Sequence, residues 1–497
     1  MSASVIAYLI LGIFVILAIL SVFFSKKEKG RKAFILAVYA IFFFYTIAQS
    51  LFYHDTQAGS SPDESAHISY VVYLHDSKLI IPDYEMMKLL NPDPLKWSVD
   101  LYEYRKPTCN YVCHPPLYYW ILNQVDAVKD TEEYHVFQIN KDALRYASLA
   151  IFAVGLILLL YIGYSRIDKD KPWLHLFYAA AATCIPMLSF EGCAVTNDNL
   201  ALVCACVTII GLLRFCESKR NFLTYFLIAL GISSSLMTKM TTAILCVFMA
   251  LIILFYTMIR EKSVKNSLNK AFLCSIPVYA IALLYLGIIY SRYKTIQPSL
   301  EMVCSREYFE STIYYTDPAE RMVMDFSQYM HFYFKQFWLS WTGIVGTFAN
   351  FLKVSVFTKT GMVMELLWFT PILLIIPFFR KKNCPLVLPV LAAWASCLVT
   401  IVIQFKSAWG TFLSRGYLGG SQARYYLPFI FALSLAVVLV VEKLYDDVII
   451  EKITNTKALS VIKYALVILT LTYAFLLVYS NFPYFLIHYG FVEVAAH

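Results

Sequence analysis

Residues 4–24 read SVIAYLILGIFVILAILSVFF, a stretch of 21 residues without a charged side chain. A helix needs about 20 consecutive apolar residues to cross the hydrocarbon core of a bilayer, so this stretch is long enough to be a membrane span. It shows neither a basic segment in front nor a small-residue cleavage site, which favours a retained span over a cleaved signal peptide. The strands of an outer-membrane barrel would instead alternate apolar and polar residues over about ten positions.

The whole chain has the composition of a membrane protein. Of its 497 residues, 60% are hydrophobic and 15% are charged, and the mean hydropathy is +0.63. Soluble domains carry about 25% charged residues, so a soluble globule or a disordered chain is excluded. The formal net charge is +8, but most Lys and Arg lie in short clusters between apolar stretches. Because this distribution sets membrane topology and the phosphate-binding patterns GxxxxGK[ST] and GxGxxG are absent, we expect no nucleic acid partner.

The apolar stretches predict an all-α polytopic integral membrane protein, one domain over 1–497 with about twelve transmembrane helices. Basic clusters fall in alternate connections, and the positive-inside rule makes those connections cytoplasmic and both termini external. The aromatic stretch 329–350 is predicted to be interfacial or re-entrant, since counting it as a span would place 380–382 outside. The predicted spans are 4–24, 33–53, 143–164, 173–190, 194–215, 221–238, 241–258, 271–291, 361–379, 385–405, 422–442 and 461–482.

This topology distributes the polar sequence unevenly between the two faces. The outer face has two large segments, 54–142 and 292–360, whereas the cytoplasmic connections are all short. Transport needs access from both sides of a membrane, but chemistry at a surface needs it from only one. The asymmetry favours chemistry at the outer surface of the membrane over transport.

The first outer segment contains, close to its start, the sequence SSPDESAHISY at 60–70. Ser61 and Glu64 form the S-x-x-E capping pattern, and Pro62 would stand at the first helical position, where proline is favoured. The sequence therefore predicts a short helix that starts at Ser61 and lies along the membrane surface.

Asp63 and Glu64 would lie in the first turn of this helix, on the same face as His67. The positive end of the helix dipole favours ionised carboxylates there, as a general base requires. Two alternatives stay open. The carboxylates are also typical of an ordinary helix start, and Asp63, Glu64 and His67 together are able to bind a divalent cation.

Further polar residues interrupt the sequence near the outer ends of spans. The prolines of HPPLYY at 114–119 predict a rigid turn that leads into a helix over Leu117–Val125. Asp198 belongs to a group of helix-capping residues, and Lys239 lies in a very short connection. Arg424 falls a few residues inside a predicted span, where a guanidinium needs an anionic partner. Phosphate and an internal carboxylate both suit it.

Cys109 and Cys113 lie four residues apart in the first outer segment. Their spacing is one residue too long for haem attachment, which leaves a local disulfide or two free thiols. Most of the other cysteines fall inside apolar stretches, where cysteine acts as a small hydrophobic residue.

In these motifs the sequence resembles the GT-C superfamily of glycosyltransferases, polytopic helical enzymes that use polyprenyl-phosphate-linked sugars. More narrowly it is similar to a bacterial branch of that superfamily. The motifs, spread over about 54–430, are PDESAH at 62–67, HPPLYY at 114–119, ND at 197–198, FW at 337–338 and GSQARYYLP at 420–428. Ala423 departs from the pattern, because that branch usually has glycine there.

The resemblance implies a GT-C-like bundle whose two outer loops carry interfacial helices. It also implies an inverting transfer of a sugar from a polyprenyl-phosphate-linked donor to an envelope glycan, lipid or protein. Asp63 would be the general base, with Glu64 orienting the substrate. The residues expected to bind the donor phosphate or the substrate are His67, His114, Tyr118, Arg145, Asp198, Lys239, Arg424 and Tyr425.

Three other functions stay open on the sequence alone. A transporter or lipid flippase suits twelve spans, although alternating-access repeats are not evident. An envelope polymerase or ligase would be an enzyme with a diphosphate-linked oligosaccharide donor. A non-catalytic assembly scaffold would tolerate the substitution Asp63→Asn.

Overall fold

The computed structural model of the chain describes residues 3–56, 61–90, 101–104, 108–133, 135–344, 358–375, 385–448 and 456–481. Helices dominate these residues, as the apolar stretches predict. The α-helices are Ala3–Ser25, Arg31–Thr56, Glu64–Ser77, Leu117–Leu122, Lys141–Arg166, Pro172–Thr183, Pro186–Gly192, Asp198–Cys216, Phe222–Leu236, Met240–Glu261, Val264–Ser267, Lys270–Ser275, Ala280–Tyr293, Leu300–Val303, Arg306–Glu310, Phe326–Thr342, Thr358–Phe369, Val387–Arg415, Ile430–Lys443 and Thr456–Asn481. The shorter helical turns are Asn123–Val125, Ile276–Tyr279, Ala423–Phe429 and Leu444–Val448.

The predicted spans all correspond to helices, but the helices differ in length. Among the described residues, nine helices are long and apolar enough to cross a membrane. The pair Pro172–Thr183 and Pro186–Gly192, bent by 62°, would be a tenth span. Two further apolar helices, Phe222–Leu236 and Gly361–Ile375, are shorter than a full span. The chain is a multi-pass membrane protein, and within the described residues up to ten of the twelve predicted spans reach full length.

Pro186 explains the bend in the broken pair. Proline disfavours the helical conformation in the residue before it, and Ile185 is extended, with φ −88° and ψ 119°. The second half of the pair then starts anew at Pro186 and carries Glu191 in its last turn. A carboxylate is thereby placed at the end of an apolar, broken segment.

The basic connections meet at one end of the molecule, as the alternation of charge predicts. Ion pairs link five of the six connections, and the sixth, around 380–382, lies outside the described residues, as does Lys452. The helix Arg31–Thr56 starts at this basic end and leads away from it, and Asp63 comes shortly after its far end. The linking pairs are Arg31–Asp170, Arg166–Glu217, Arg220–Glu261 and Lys171–Glu442.

The ambiguous aromatic stretch contains the helix Phe326–Thr342. The helix begins with a capping box in which Asp325 and Gln328 bond each other's backbone N–H groups. It is not among the helices of the described residues that are long and apolar enough to span. This agrees with the prediction that the stretch does not cross the membrane, although 345–350 lie outside the described residues.

The first outer segment contains a small sheet, which the all-α prediction missed. Strand Val136–Ile139 pairs antiparallel with Leu101–Glu103 on one side and with Val128–Asp130 on the other. The strands have three or four residues each, too short to show a period of two against the surrounding sequence.

Two buried tyrosines fix the loop around His114 by hydrogen bonds. The hydroxyls of Tyr70 and Tyr84 donate hydrogen bonds to the His114 carbonyl oxygen, at 3.0 and 2.8 Å. The predicted helix follows as Leu117–Leu122, continued by a 3₁₀ turn to Val125. Cys109 and Cys113, which precede His114 in the chain, are free thiols.

Candidate active site

The acidic helix starts later than its sequence pattern predicts. It runs from Glu64 to Ser77, and Asp63 stands before it in the left-handed region, with φ 62° and ψ 5°. The predicted capping box of Ser61 and Glu64, with Pro62 in the first turn, is therefore wrong. A left-handed conformation is uncommon for a residue other than glycine and tends to occur at functional sites. This backbone turn sends the side chains of Asp63 and Glu64 to different partners.

Glu64 is the structural member of the pair. Its Oε1 accepts a hydrogen bond from Arg145 Nε at 2.8 Å, and its Oε2 accepts one from Arg145 Nη2 at 2.7 Å. The backbone N–H of Val195 also donates to Oε1, at 3.0 Å. Because Glu64 and Arg145 are both buried, this bidentate pair fixes the acidic helix to the helix Lys141–Arg166.

Asp63 is the carboxylate at the centre of the site. Its Oδ1 accepts a hydrogen bond from the Tyr111 hydroxyl at 3.0 Å, and its Oδ2 accepts one from Arg424 Nη2 at 3.0 Å. Burial raises the pKa of Asp63, but the charge of Arg424 and the hydrogen bonds from Arg424 and Tyr111 outweigh burial and hold that pKa below its ordinary value. Asp63 is therefore ionised at neutral pH.

Arg424 bridges Asp63 and Glu191, a residue that the sequence analysis missed. Arg424 Nη1 donates to Glu191 Oε1 at 3.0 Å, and both side chains are buried. In the described part of the chain, Arg424 Nε and Glu191 Oε2 are buried without a hydrogen-bond partner. The sequence predicted Arg424 inside a transmembrane α-helix. The structure instead places it in the 3₁₀ turn Ala423–Phe429. The sequence did hold a signal for Glu191: it is an acid at the end of an apolar segment, and such residues are usually functional or paired.

Asp198 and Lys239 form the second ion pair of the site. Asn197 stands at the start of the Asp198–Cys216 helix, but its side chain donates to the Thr238 carbonyl oxygen at 3.0 Å instead of capping the helix. Lys239 Nζ lies 4.9 Å from the centre of the Tyr425 ring. The guanidinium carbon of Arg424 is 5.5 Å from the same ring, so Tyr425 contacts both cations.

His67 and His114 complete the site as neutral groups. Their rings are stacked with centres 6.0 Å apart. His67 Nδ1 lies 2.7 Å from the Tyr119 hydroxyl, and His114 Nδ1 lies 3.3 Å from Gln297 Nε2. Burial lowers the pKa of His67 to about 4 and that of His114 to about 3.

These groups surround one cavity of about 280 Å³. Three other predicted site residues do not line it. Glu64 and Arg145 bond each other, and the Tyr118 hydroxyl pairs with Ser148 Oγ at 2.7 Å. The predicted site residues that do line the cavity are Asp63, His67, His114, Asp198, Lys239, Arg424 and Tyr425.

The alternative of a cation site on the acidic helix does not fit the geometry. Asp63 and His67 line the cavity, whereas Glu64 is taken up by Arg145. Among the described residues, no three His, Cys, Asp or Glu side chains are grouped so that they would hold a metal ion.

Comparisons with known proteins give matches in structure alone. No protein-family model matches the sequence, and no curated protein matches it either. The chain is similar to ArnT from Cupriavidus metallidurans bound to undecaprenyl phosphate, at 12% identity and a TM-score of 0.43, over 92% of this chain and 76% of that one. It is also similar to ArnT from the same organism in the apo state, at 11% identity and a TM-score of 0.44, over 93% of this chain and 76% of that one. Identities and TM-scores this low carry no residue role over to this chain.

Proposed function

We propose that the chain is a glycosyltransferase that moves a sugar from a polyprenyl-phosphate-linked donor to an acceptor hydroxyl. The observation that supports this most is that a single cavity is lined by an ionised carboxylate, Asp63, and by two cations, Lys239 and Arg424. The carboxylate supplies a general base, and the cations suit a phosphate.

The proposed step is a single displacement that inverts the anomeric carbon. The acceptor oxygen forms a bond to that carbon as the bond between the carbon and the phosphate oxygen breaks. Asp63 takes the proton of the acceptor hydroxyl, and polyprenyl phosphate leaves with the bonding electrons. Lys239 and Arg424 stabilise the charge that grows on the phosphate, which is the type of interaction that usually contributes most to catalysis.

Before a donor binds, carboxylates hold both cations. Asp198 pairs with Lys239, while Asp63 and Glu191 share Arg424. The phosphate of a bound sugar donor would compete with these carboxylates for the N–H groups of Lys239 and Arg424. It would thereby weaken the bond between Arg424 and Asp63. Because a nearby cation lowers the pKa of a carboxylate, this competition makes Asp63 a stronger base once the donor is in place.

The outer face of the plasma membrane is the proposed location of the reaction. The cavity lies at the end of the molecule opposite the linked basic connections, which the positive-inside rule assigns to the cytosol. A lipid-linked donor carries its phosphate at headgroup depth. The acceptor would then be an envelope glycan, lipid or protein.

The test uses the purified full-length chain in lipid nanodiscs with a panel of labelled undecaprenyl-phosphate hexoses and envelope extract as the acceptor source. Wild-type protein should consume a donor and release undecaprenyl phosphate. The variant Lys239→Met should lose about 10²-fold in rate, as expected when one group that stabilises the leaving charge is removed. Lys294→Met, a change of an exposed lysine in the second outer loop, is the matched control. Failure to consume any donor, or equal rates for both variants, would contradict the proposal.

A further inference from the structure

One wall of the cavity is a row of uncharged polar residues on the helix Val387–Arg415, and the function proposed above does not use it. Gln404, Ser407 and Thr411 are three or four residues apart, so they share one face of the helix. All three line the cavity together with Asp63 and Arg424. We call Gln404, Ser407 and Thr411 the polar stripe.

The polar stripe lies at the outer end of an unusually long helix. The helix has 29 residues, about 43 Å, whereas the hydrocarbon core of a bilayer is about 30 Å thick. Its last residue, Arg415, pairs with Glu301 of the second outer loop. The backbone carbonyl of Arg415 also accepts a hydrogen bond from Thr316 N–H at 2.9 Å. The polar stripe is therefore at the end of the helix where lipid-linked headgroups and water meet.

The side chains of the stripe retain hydrogen-bonding capacity after their internal bonds are counted. Gln404 Oε1 accepts from the Tyr426 hydroxyl at 2.7 Å, which leaves the amide N–H₂ group for another partner. Thr411 Oγ1 donates to the Ser407 carbonyl oxygen at 3.0 Å, which leaves its lone pairs as acceptors. Ser407 adds a hydroxyl that both donates and accepts. Donors and acceptors about one helical turn apart match the hydroxyls around a sugar ring.

The charges in the cavity restrict the sugar further. Among the described lining residues the cations are Lys239 and Arg424, and each is paired with a carboxylate. A donor phosphate would occupy both. His67 and His114 are neutral, because burial lowers the pKa of each to about 4 and about 3. A sugar carboxylate would therefore find no cation, and burying it unpaired would be costly.

We propose that the polar stripe is a subsite for a hydroxyl-rich sugar ring that carries no carboxylate. The inference rests on the proposed function, since it assigns the class of sugar that the same cavity takes. The ring belongs either to the donor or to a glycan acceptor, and the chemistry of recognition is the same for both.

Binding to the purified full-length protein in nanodiscs tests the proposal. The lipid probes are undecaprenyl phosphate and its glucosyl, mannosyl, glucuronosyl and aminoarabinosyl derivatives, and methyl glucoside is the lipid-free probe. The variants are Ser407→Ala and Thr411→Val. Thr400→Val is the matched control, because Thr400 Oγ1 likewise donates to the carbonyl four residues earlier, at 2.8 Å, on the same helix, but does not line the cavity.

A neutral hexosyl lipid should bind at least tenfold more tightly than undecaprenyl phosphate, and the stripe variants should remove that gain without changing the affinity for undecaprenyl phosphate. If the variants instead weaken methyl glucoside alone, the ring is that of the acceptor. The inference is overturned if undecaprenyl phosphate binds but a neutral hexose adds nothing, if the glucuronosyl group adds more, or if Thr400→Val has the same effect as Thr411→Val. Failure of undecaprenyl phosphate to bind the wild type would contradict the proposed function instead.

Discussion

Asp63 and Glu64 are adjacent in the chain but have different surroundings. The carboxylate of Glu64 is 2% exposed and accepts three hydrogen bonds, two of them from Arg145. The Asp63 side chain is 36% exposed, lines the cavity and shares Arg424 with Glu191. The comparison shows how one left-handed residue sends the side chains of neighbouring acids to different surroundings. Glu64 secures the helix, and Asp63 faces the cavity.

The largest difference between the two acids should be in catalysis. Asp63→Asn removes the proposed base, and the loss of a positioned base typically lowers the rate about 10²–10⁴-fold. We expect that fall in kcat for sugar transfer, with no loss of affinity for undecaprenyl phosphate, because Asp63 no longer competes with the phosphate for Arg424. Glu103→Gln, a change of an exposed acid in the same outer segment, should leave kcat unchanged. Wild-type turnover by Asp63→Asn would contradict the assigned base.

Glu64 should show its effect in stability. Glu64→Gln leaves the Arg145 guanidinium buried without its counter-charge, and breaking a buried pair costs roughly 3–5 kcal/mol. The free energy of unfolding in detergent should fall by that amount. The double variant Glu64→Gln with Arg145→Met removes both charges and should recover much of the loss. A double variant no more stable than the single one would argue against a structural ion pair.

The anchor of Arg424 should have a smaller effect. Glu191→Gln weakens a charge-assisted hydrogen bond worth about 1.5–3 kcal/mol, so Arg424 is held less firmly for the donor phosphate. We expect the apparent KM for the donor to rise roughly tenfold, because 1.4 kcal/mol corresponds to a factor of ten. Glu365→Gln changes another acid on a predicted span, outside the cavity, and should leave KM unaltered.

Lowering the pH from 7 to 5 should have the smallest effect on activity. The pKa of Asp63 in the free protein is held below its ordinary value by Arg424, so Asp63 should stay ionised throughout the mildly acidic range. His67 and His114, with pKa values of about 4 and about 3, should stay neutral down to pH 5. Between pH 7 and pH 5, kcat/KM should therefore change by no more than about twofold. A transition centred near pH 6.5 would show that an ordinary histidine controls the reaction.

The sequence predicted the parts of the fold that depend on long patterns. Continuous apolar stretches located the spans, and alternating basic clusters identified the connections that meet at one end. It also identified Asp63, Asp198, Lys239 and Arg424 as site candidates, because charged residues at or near the outer ends of apolar stretches are unusual.

The ion-pair partners of the buried acids depend on tertiary contacts and could not be predicted from the sequence. The S-x-x-E pattern predicted a local cap for Glu64, but Arg145, 81 residues away in the chain, takes its carboxylate. Glu191 went unnoticed because its partner Arg424 is 233 residues away. The pairing of two acids with two arginines depends on which helices pack together, and no local spacing encodes that choice.

Single-turnover sugar transfer should be measured side by side for Asp63→Asn and Glu64→Gln, with each rate corrected for the folded fraction. Glu64→Gln should retain the wild-type rate within about threefold, whereas Asp63→Asn should lose at least about 10²-fold. Equal losses for both variants, or a greater loss for Glu64→Gln, would contradict a base at Asp63 and a structural ion pair at Glu64.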